Sequence, residues 1–153
     1  MAQQTVLFYP LNPAPRLRKV LLVAGATAPE VGQWLIQDTG ADAEYYQLPA
    51  DGASNANNWG GVVAQILTAV TATADGEYLI YDAQDTTFRG PATTSGNLAD
   101  SILNTKVTLD VNSSYQTVDE NDTTNGVLFI EGYDASNGTV DVRVDLDNLA
   151  LSA

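Results

Sequence analysis

From Val140 to Asp147 the chain alternates without a break. Val140, Val142, Val144 and Leu146 take one parity, and Asp141, Arg143, Asp145 and Asp147 the other. A repeat of two puts the apolar side chains on one face and the charges on the opposite one, as in an antiparallel sheet with one buried and one wet face. The runs "KVLLVAG" (19–25) and "GVLFIEG" (126–132) are nearly continuous in apolar residues and read as strands covered on both faces. Turn dipeptides punctuate these runs. Asp75-Gly76 and Asn137-Gly138 suit type I′ hairpin turns, and Asp51-Gly52 and Asn125-Gly126 mark two more. Strands are expected near 4–9, 19–24, 32–37, 43–48, 61–72, 77–82, 106–111, 114–118, 127–133 and 139–147. One short helix is expected at 98–104, with Asn97 as its cap and Asp100 in its first turn. The fold class that follows is mainly β: an antiparallel β-barrel or sandwich with an extended N-terminal arm and at most one short helix.

Two segments read as connectors. "ADGASNANNWGG" (50–61) is small and polar, the composition of a long exposed loop, and "RGPATTSGN" (89–97) reads as a linker or lid. The expected organisation is an extended arm over 1–18 and a β domain over 19–153, with a sub-boundary at 89–97. No internal repeat is legible.

Charge narrows the functions. Six basic residues stand against 19 acidic ones, a net charge of -13, and such a surface repels nucleic-acid backbones and anionic membranes. The sequence contains no cysteine and no histidine, which removes disulfides, thiolate metal sites, Ser-His-Asp and Cys-His catalysis and the commonest general base. The opening "MAQQTVLFYPLNPAP" lacks a basic region followed by a long apolar one, so it does not read as a signal peptide. No apolar run reaches the roughly 18–20 residues of a membrane span.

Three candidate chemistries remain. Paired carboxylates could serve a hydrolase, but most acidic residues fall in turns or on wet strand faces. "DVNSSYQTVDEND" begins like a calcium loop, with Asp110, Asn112 and Ser114, yet Tyr115 and Asn121 hold the places that need Gly and Glu. A looser calcium site would draw on Asp119, Glu120 and Asp122. No catalytic residue, cofactor or metal is assigned. Among the aromatics, Trp59 stands apart, between Asn57-Asn58 and Gly60-Gly61 in the expected loop. There it would serve a contact surface, as a glycan or receptor platform, or else fold back onto the core.

Half of the positive charge, Arg16, Arg18 and Lys19, follows Pro10, Pro13 and Pro15. Proline fixes φ and pushes its predecessor toward extended backbone, so "FYPLNPAPRL" is expected to be a stiff arm. The expected partner-binding residues are Leu7, Phe8, Arg16, Leu17, Arg18 and Lys19, with Trp59 as a second contact. The arm would add as a strand to a partner, bury Leu7, Phe8 and Leu17, and present its cations to an acidic surface.

The segments "TAPEVGQWLIQDTGADAEYYQLPADG", "WGGVVAQIL" and "DGEYLIYDAQDTTFRG" resemble the small β-rich decoration (cement) proteins of tailed-phage capsids, over about residues 20–90. The resemblance implies a non-enzymatic virion protein made in the host cytoplasm. It would be a homo-oligomer, with a trimer favoured, and bind major capsid protein subunits at their junctions through an N-terminal arm.

Overall fold

The computed structural model describes residues 7–38, 44–52, 58–112 and 115–150. Within them lie strands β1 (Tyr9–Pro10), β2 (Leu17–Leu22), β3 (Trp34–Gln37), β4 (Tyr46–Gln47), β5 (Asn58–Thr68), β6 (Gly76–Asp82), β7 (Phe88–Pro91), β8 (Lys106–Asn112), β9 (Tyr115–Asp119), β10 (Leu128–Asp134) and β11 (Thr139–Val144). The chain is mainly β, in two curled antiparallel sheets ordered β2-β6-β5-β3-β4 and β1-β7-β11-β10-β8-β9. It passes from the first sheet to the second between Asp82 and Phe88.

The two sheets repeat one another. Setting β1 aside, each takes five consecutive strands and orders them first, fifth, fourth, second, third. The register matches over the central pairs, although the first unit carries further bulges between Leu35 and Ile36 and between Ile66 and Thr68. Trp34↔Val62 and Leu35↔Gly61 in one correspond to Lys106↔Phe129 and Val107↔Leu128 in the other. Gly61↔Asp82 and Val63↔Ile80 correspond to Leu128↔Val144 and Ile130↔Val142. A bulge follows Val63 and, at the same place, Ile130. Each unit curls until its first and third strands meet through one parallel bridge, Leu21↔Tyr45 and Ala92↔Val118. A positive φ also recurs: Gly32 (φ +89) and Asn104 (φ +64) precede the second strand at equivalent sites.

Inward alternation fills each unit. Val20, Leu22, Leu35, Tyr46, Val63, Tyr78 and Ile80 form the core of the first, together with Val70 and Ala150. In the second, Phe88, Val107, Val118, Ile130, Val140, Val142 and Val144 do the same. The outward side chains Trp34, Ile36, Trp59 and Val62 of the first unit join that second core, and Trp34 meets Phe88 edge-on at 4.8 Å. Their equivalents Lys106 and Phe129 face away from it: Lys106 is exposed, and the Arg143 guanidinium covers the Phe129 ring.

Several sequence expectations change here. Residues 58–61 belong to β5, not to an exposed loop, and 53–57 lie outside the described residues. The first part of the expected 89–97 connector is β7, paired with both β1 and β11. The expected helix at 98–104 is replaced by 3₁₀ turns at Ser95–Asn97 and Asp100–Ile102, separated by extended Leu98 and Ala99. Asn104 and Thr105 give their backbone to Ile130, which ends any helix. The Asn97 amide donates to Glu120 instead of capping. Asp75-Gly76 is no two-residue turn: Gly76 opens β6, and the Asp75 carboxylate accepts from the Ala24 N–H and the Tyr45 hydroxyl. Asn137-Gly138 lies in the β10–β11 hairpin connection, but as the end of a loop over 135–138 between Asp134 and Thr139 and not as a type I′ turn, since Gly138 has φ +66 and Asn137 has no positive φ. Of the strand expected at 4–9, only Tyr9 lies in a described strand, and 4–6 lie outside the described residues.

Candidate functional site

The N-terminal segment straps the two units together. The Phe8 N–H donates to the Gly32 carbonyl beside β3, while Tyr9 and Pro10 pair with Arg89 and Phe88 of β7. Phe8 is 2% exposed and meets Trp34 edge-on at 5.6 Å. Its ring stands where a Cβ on Gly90 would point, and Gly90 is the equivalent of Val20. From residue 7 onward the expected extended arm thus runs along its own chain, with the Phe8 ring seated between Trp34 and Gly90. Leu17, Arg18 and Lys19 likewise belong to β2, paired with Tyr81, Ile80 and Leu79.

The cations are not free. Arg16 and Arg18 pair with Asp82, Lys19 with Glu77, Arg89 with Asp141, Lys106 with Asp145 and Arg143 with Glu131. That accounts for all six basic residues. The Arg16 and Lys19 side chains nevertheless stay more than half exposed, at 58% and 57%, whereas Arg18 is largely buried.

Alternation explains how Asp82 comes to hold two of them. Tyr78, Ile80 and Asp82 share the inward parity of β6, and Arg18, Val20 and Leu22 share that of β2. The Arg16 and Arg18 Nε groups donate to Asp82 Oδ2 at 3.2 and 3.3 Å, and Arg16 Nη2 donates to the same oxygen. Asp82 Oδ1 accepts from the Gln84 N–H at 3.0 Å. Arg18 Nη1 donates to the Tyr46 hydroxyl, with the guanidinium 5.3 Å from that ring's centre. Arg18 Nη2 is buried with no acceptor among the described residues. The phase of "YLIYD" is the signal that points to Asp82, and the sequence reading missed it by treating acids as turn and surface residues.

Beside the strap lies an apolar groove of about 430 Å³, lined by Leu7, Phe8, Tyr9, Val31, Gly32, Val63 and Tyr81. Leu7 sits so close to Gly32 that a Cβ there would collide with it. Tyr9 and Val31 on the rim are exposed, as is Leu17, the register partner of Tyr81. Of the expected contacts, Leu7 and Phe8 line the groove and Leu17 adjoins it through Tyr81. Trp59 does not: it is 0% exposed, edge-on to Trp34 at 5.6 Å, so it offers no surface platform. Tyr9, Val31 and Tyr81 were missed, because nothing in their spacing sets them apart from other strand residues.

The acidic residues are engaged locally. Glu120 is buried and accepts from the Thr93 and Thr94 N–H groups and from Asn97. Asp119 accepts from the Asn121 N–H, and Asp122 from the Thr108 hydroxyl and the Thr124 N–H. Asp110 accepts from the Thr93 hydroxyl at 3.2 Å, and desolvation, with Asp51 alongside, pushes its carboxyl above the ordinary range. Among the described residues no group of three acids is placed to hold a metal ion. Ser114 lies outside them.

No family model, curated protein or solved structure matches this chain.

Proposed function

We propose that this chain is a non-enzymatic structural protein that docks on another protein through the groove beside its N-terminal strap. Within that class, our reading is a capsid decoration protein that bridges neighbouring shell subunits. The observation that carries the docking reading is a concave apolar groove with exposed Tyr9 and Val31 in its lining and exposed Leu17 beside Tyr81, on a chain of net charge -13. Apolar concavities with aromatic rims are where partners bury their anchors, at about 25 cal/mol per Å² of apolar surface removed from water. The lack of histidine and cysteine, and the use of carboxylates as hydrogen-bond acceptors in turns, support a role without catalysis. The shell reading rests on the resemblance over residues 20–90. The paired cations change its mechanism: contact would come from apolar burial, and a shell surface of neutral or basic character would suit it better than an acidic one.

The test is co-sedimentation of the full chain with purified tailed-phage capsids, beside Val31→Asp and Leu17→Asp variants whose fold is checked by circular dichroism. Binding by the parent chain and its loss in both folded variants is the expected result. Undiminished binding by both would remove the groove, and absence of binding by the parent chain would remove the shell.

A further inference from the structure

The fourth strand of the first unit outruns its neighbour. β3 covers β5 from Asn58 to Val62. Gly32 and Gln33 extend the ladder to Val63 through hydrogen bonds of 2.9 Å each. From Ala64 to Thr68 the strand is held by β6 alone, and among the described residues no strand lies along its other edge. Residues 65–69 are exposed, with Ile66 and Leu67 at 40% and 43%. Unpaired backbone groups beside apolar side chains form a template for another strand.

The second unit carries the same stretch in guarded form. Ile130, the equivalent of Val63, is likewise the last residue held on that side, by Asn104 and Thr105 at 2.9 Å each. Beyond the shared bulge, however, Glu131 pairs with Arg143, the Tyr133 hydroxyl donates to Asp100 at 2.7 Å, and Asp134 accepts from Ser136 and Asn137. Charges at that edge oppose pairing with another strand. The first unit lacks those charges: from Gly52 to Ala74 the sequence carries no charged residue, its longest uncharged run, and its edge is interrupted only by the shared bulge and a second one between Ile66 and Thr68.

We propose that the Ala64–Thr68 edge pairs antiparallel with the same edge of a second copy of this chain, about a two-fold axis. Charge selects the occupant. Two copies at -13 each repel across their acidic faces, and they meet at least cost where no charge stands. A basic partner would gain more from the acidic faces than from this neutral edge. The pairing would close both free edges at once and cover Ile66 and Leu67. It stands apart from the shell reading, since capsid binding and self-pairing are measured separately.

The test is light scattering of the full chain over a concentration series, with hydrogen exchange read at 64–68. A mass twice that of the chain is expected, with exchange at 64–68 slowing as concentration rises. Ile66→Lys and Leu67→Lys, both at exposed positions, are expected to give folded monomers with fast exchange there. A parent chain that stays monomeric throughout overturns the proposal. So does an oligomer whose mass survives both substitutions, or protection at 64–68 that appears only when capsids are added; the last assigns the edge to the shell protein.

Discussion

Asp82 and Val144 hold the same place in the two halves of the chain, each closing the fifth strand of its unit opposite an equivalent fourth-strand residue, Gly61 and Leu128. Their surroundings differ in kind. Arg18 corresponds to Phe88, through partners Ile80 and Val142, and Tyr46 corresponds to Val118, so one unit ends in an ion pair with a hydrogen-bonded tyrosine and the other in an apolar trio. Removing one partner of a buried pair is strongly destabilising, whereas replacing the whole pair by apolar residues is often neutral or better. Asp82→Val alone is expected to lower stability by about 3–5 kcal/mol, because it leaves the Arg18 guanidinium without its carboxylate. Arg18→Phe combined with Asp82→Val, which copies the second unit, is expected to recover most of that loss. Urea denaturation of the three proteins decides it: a double variant as weak as the single one would show that the trio is not interchangeable.

Phe8 makes the N-terminal segment part of the core. Phe8→Ala is expected to lower stability by about 3–5 kcal/mol, the range for a buried aromatic truncated in a packed core. Gly90→Ala should also destabilise, since the added methyl would collide with the Phe8 ring. Chemical denaturation measures both. Denaturation midpoints unchanged in both variants would contradict the strap and restore the free arm.

How much of this was legible follows from where the two-residue period is clean. Thr139–Val144 alternates strictly in apolar and polar residues, and its existence and inward face could be read directly, whereas the unbroken apolar run Tyr78–Tyr81 hid which face of Gly76–Asp82 points inward. Trp59 could not be read either, because Gly60 and Gly61 carry no side chain to show parity and a bulge interrupts the register between Leu35 and Ile36. The 89–97 segment misled through composition: Gly90 is small not because the chain turns there but because Phe8 occupies the space. The repeat was hidden because equivalent positions share only geometry, as Arg18 with Phe88 and Trp34 with Lys106 show. The groove depends on four segments distant in sequence, so no local pattern announces it.

Asp110 opposes folding when it ionises. Desolvation first, and Asp51 after it, raise its carboxyl above the ordinary value in the folded state, so the folded protein holds that proton more tightly than the unfolded chain. Its contribution to stability is therefore greatest below the unfolded value of about 3.9 and is lost as pH rises through the folded one. Asp110→Asn, which can still accept from Thr93, is expected to raise the melting temperature at pH 7 and to leave it unchanged near pH 3. A melting temperature lowered at pH 7 would contradict this.

Asp145 behaves in the opposite sense. The hydrogen bond from Lys106 Nζ, at 2.7 Å, holds its carboxyl below the ordinary range. The stability it contributes is present above the unfolded value of about 3.9 and disappears as pH falls through the folded one. Lys106→Met is expected to melt lower than the parent at pH 7, with the gap closing in strong acid. Because the pair is exposed, added salt should narrow the gap at pH 7 as well. A gap independent of both pH and salt would place the effect of Lys106 elsewhere.

The packing of the Phe8 ring against Gly90 also sets an order of events during synthesis. The first five-strand unit can close once Asp82 has left the ribosome, yet the ring made earliest has its seat on a strand translated last of these, and Trp34 and Trp59 stand uncovered until that strand arrives. A nascent chain paused between Asp82 and Gly90 would carry a ready-made sticky surface, so translation speed through that short interval, and chaperone occupancy there, should govern the yield of native protein.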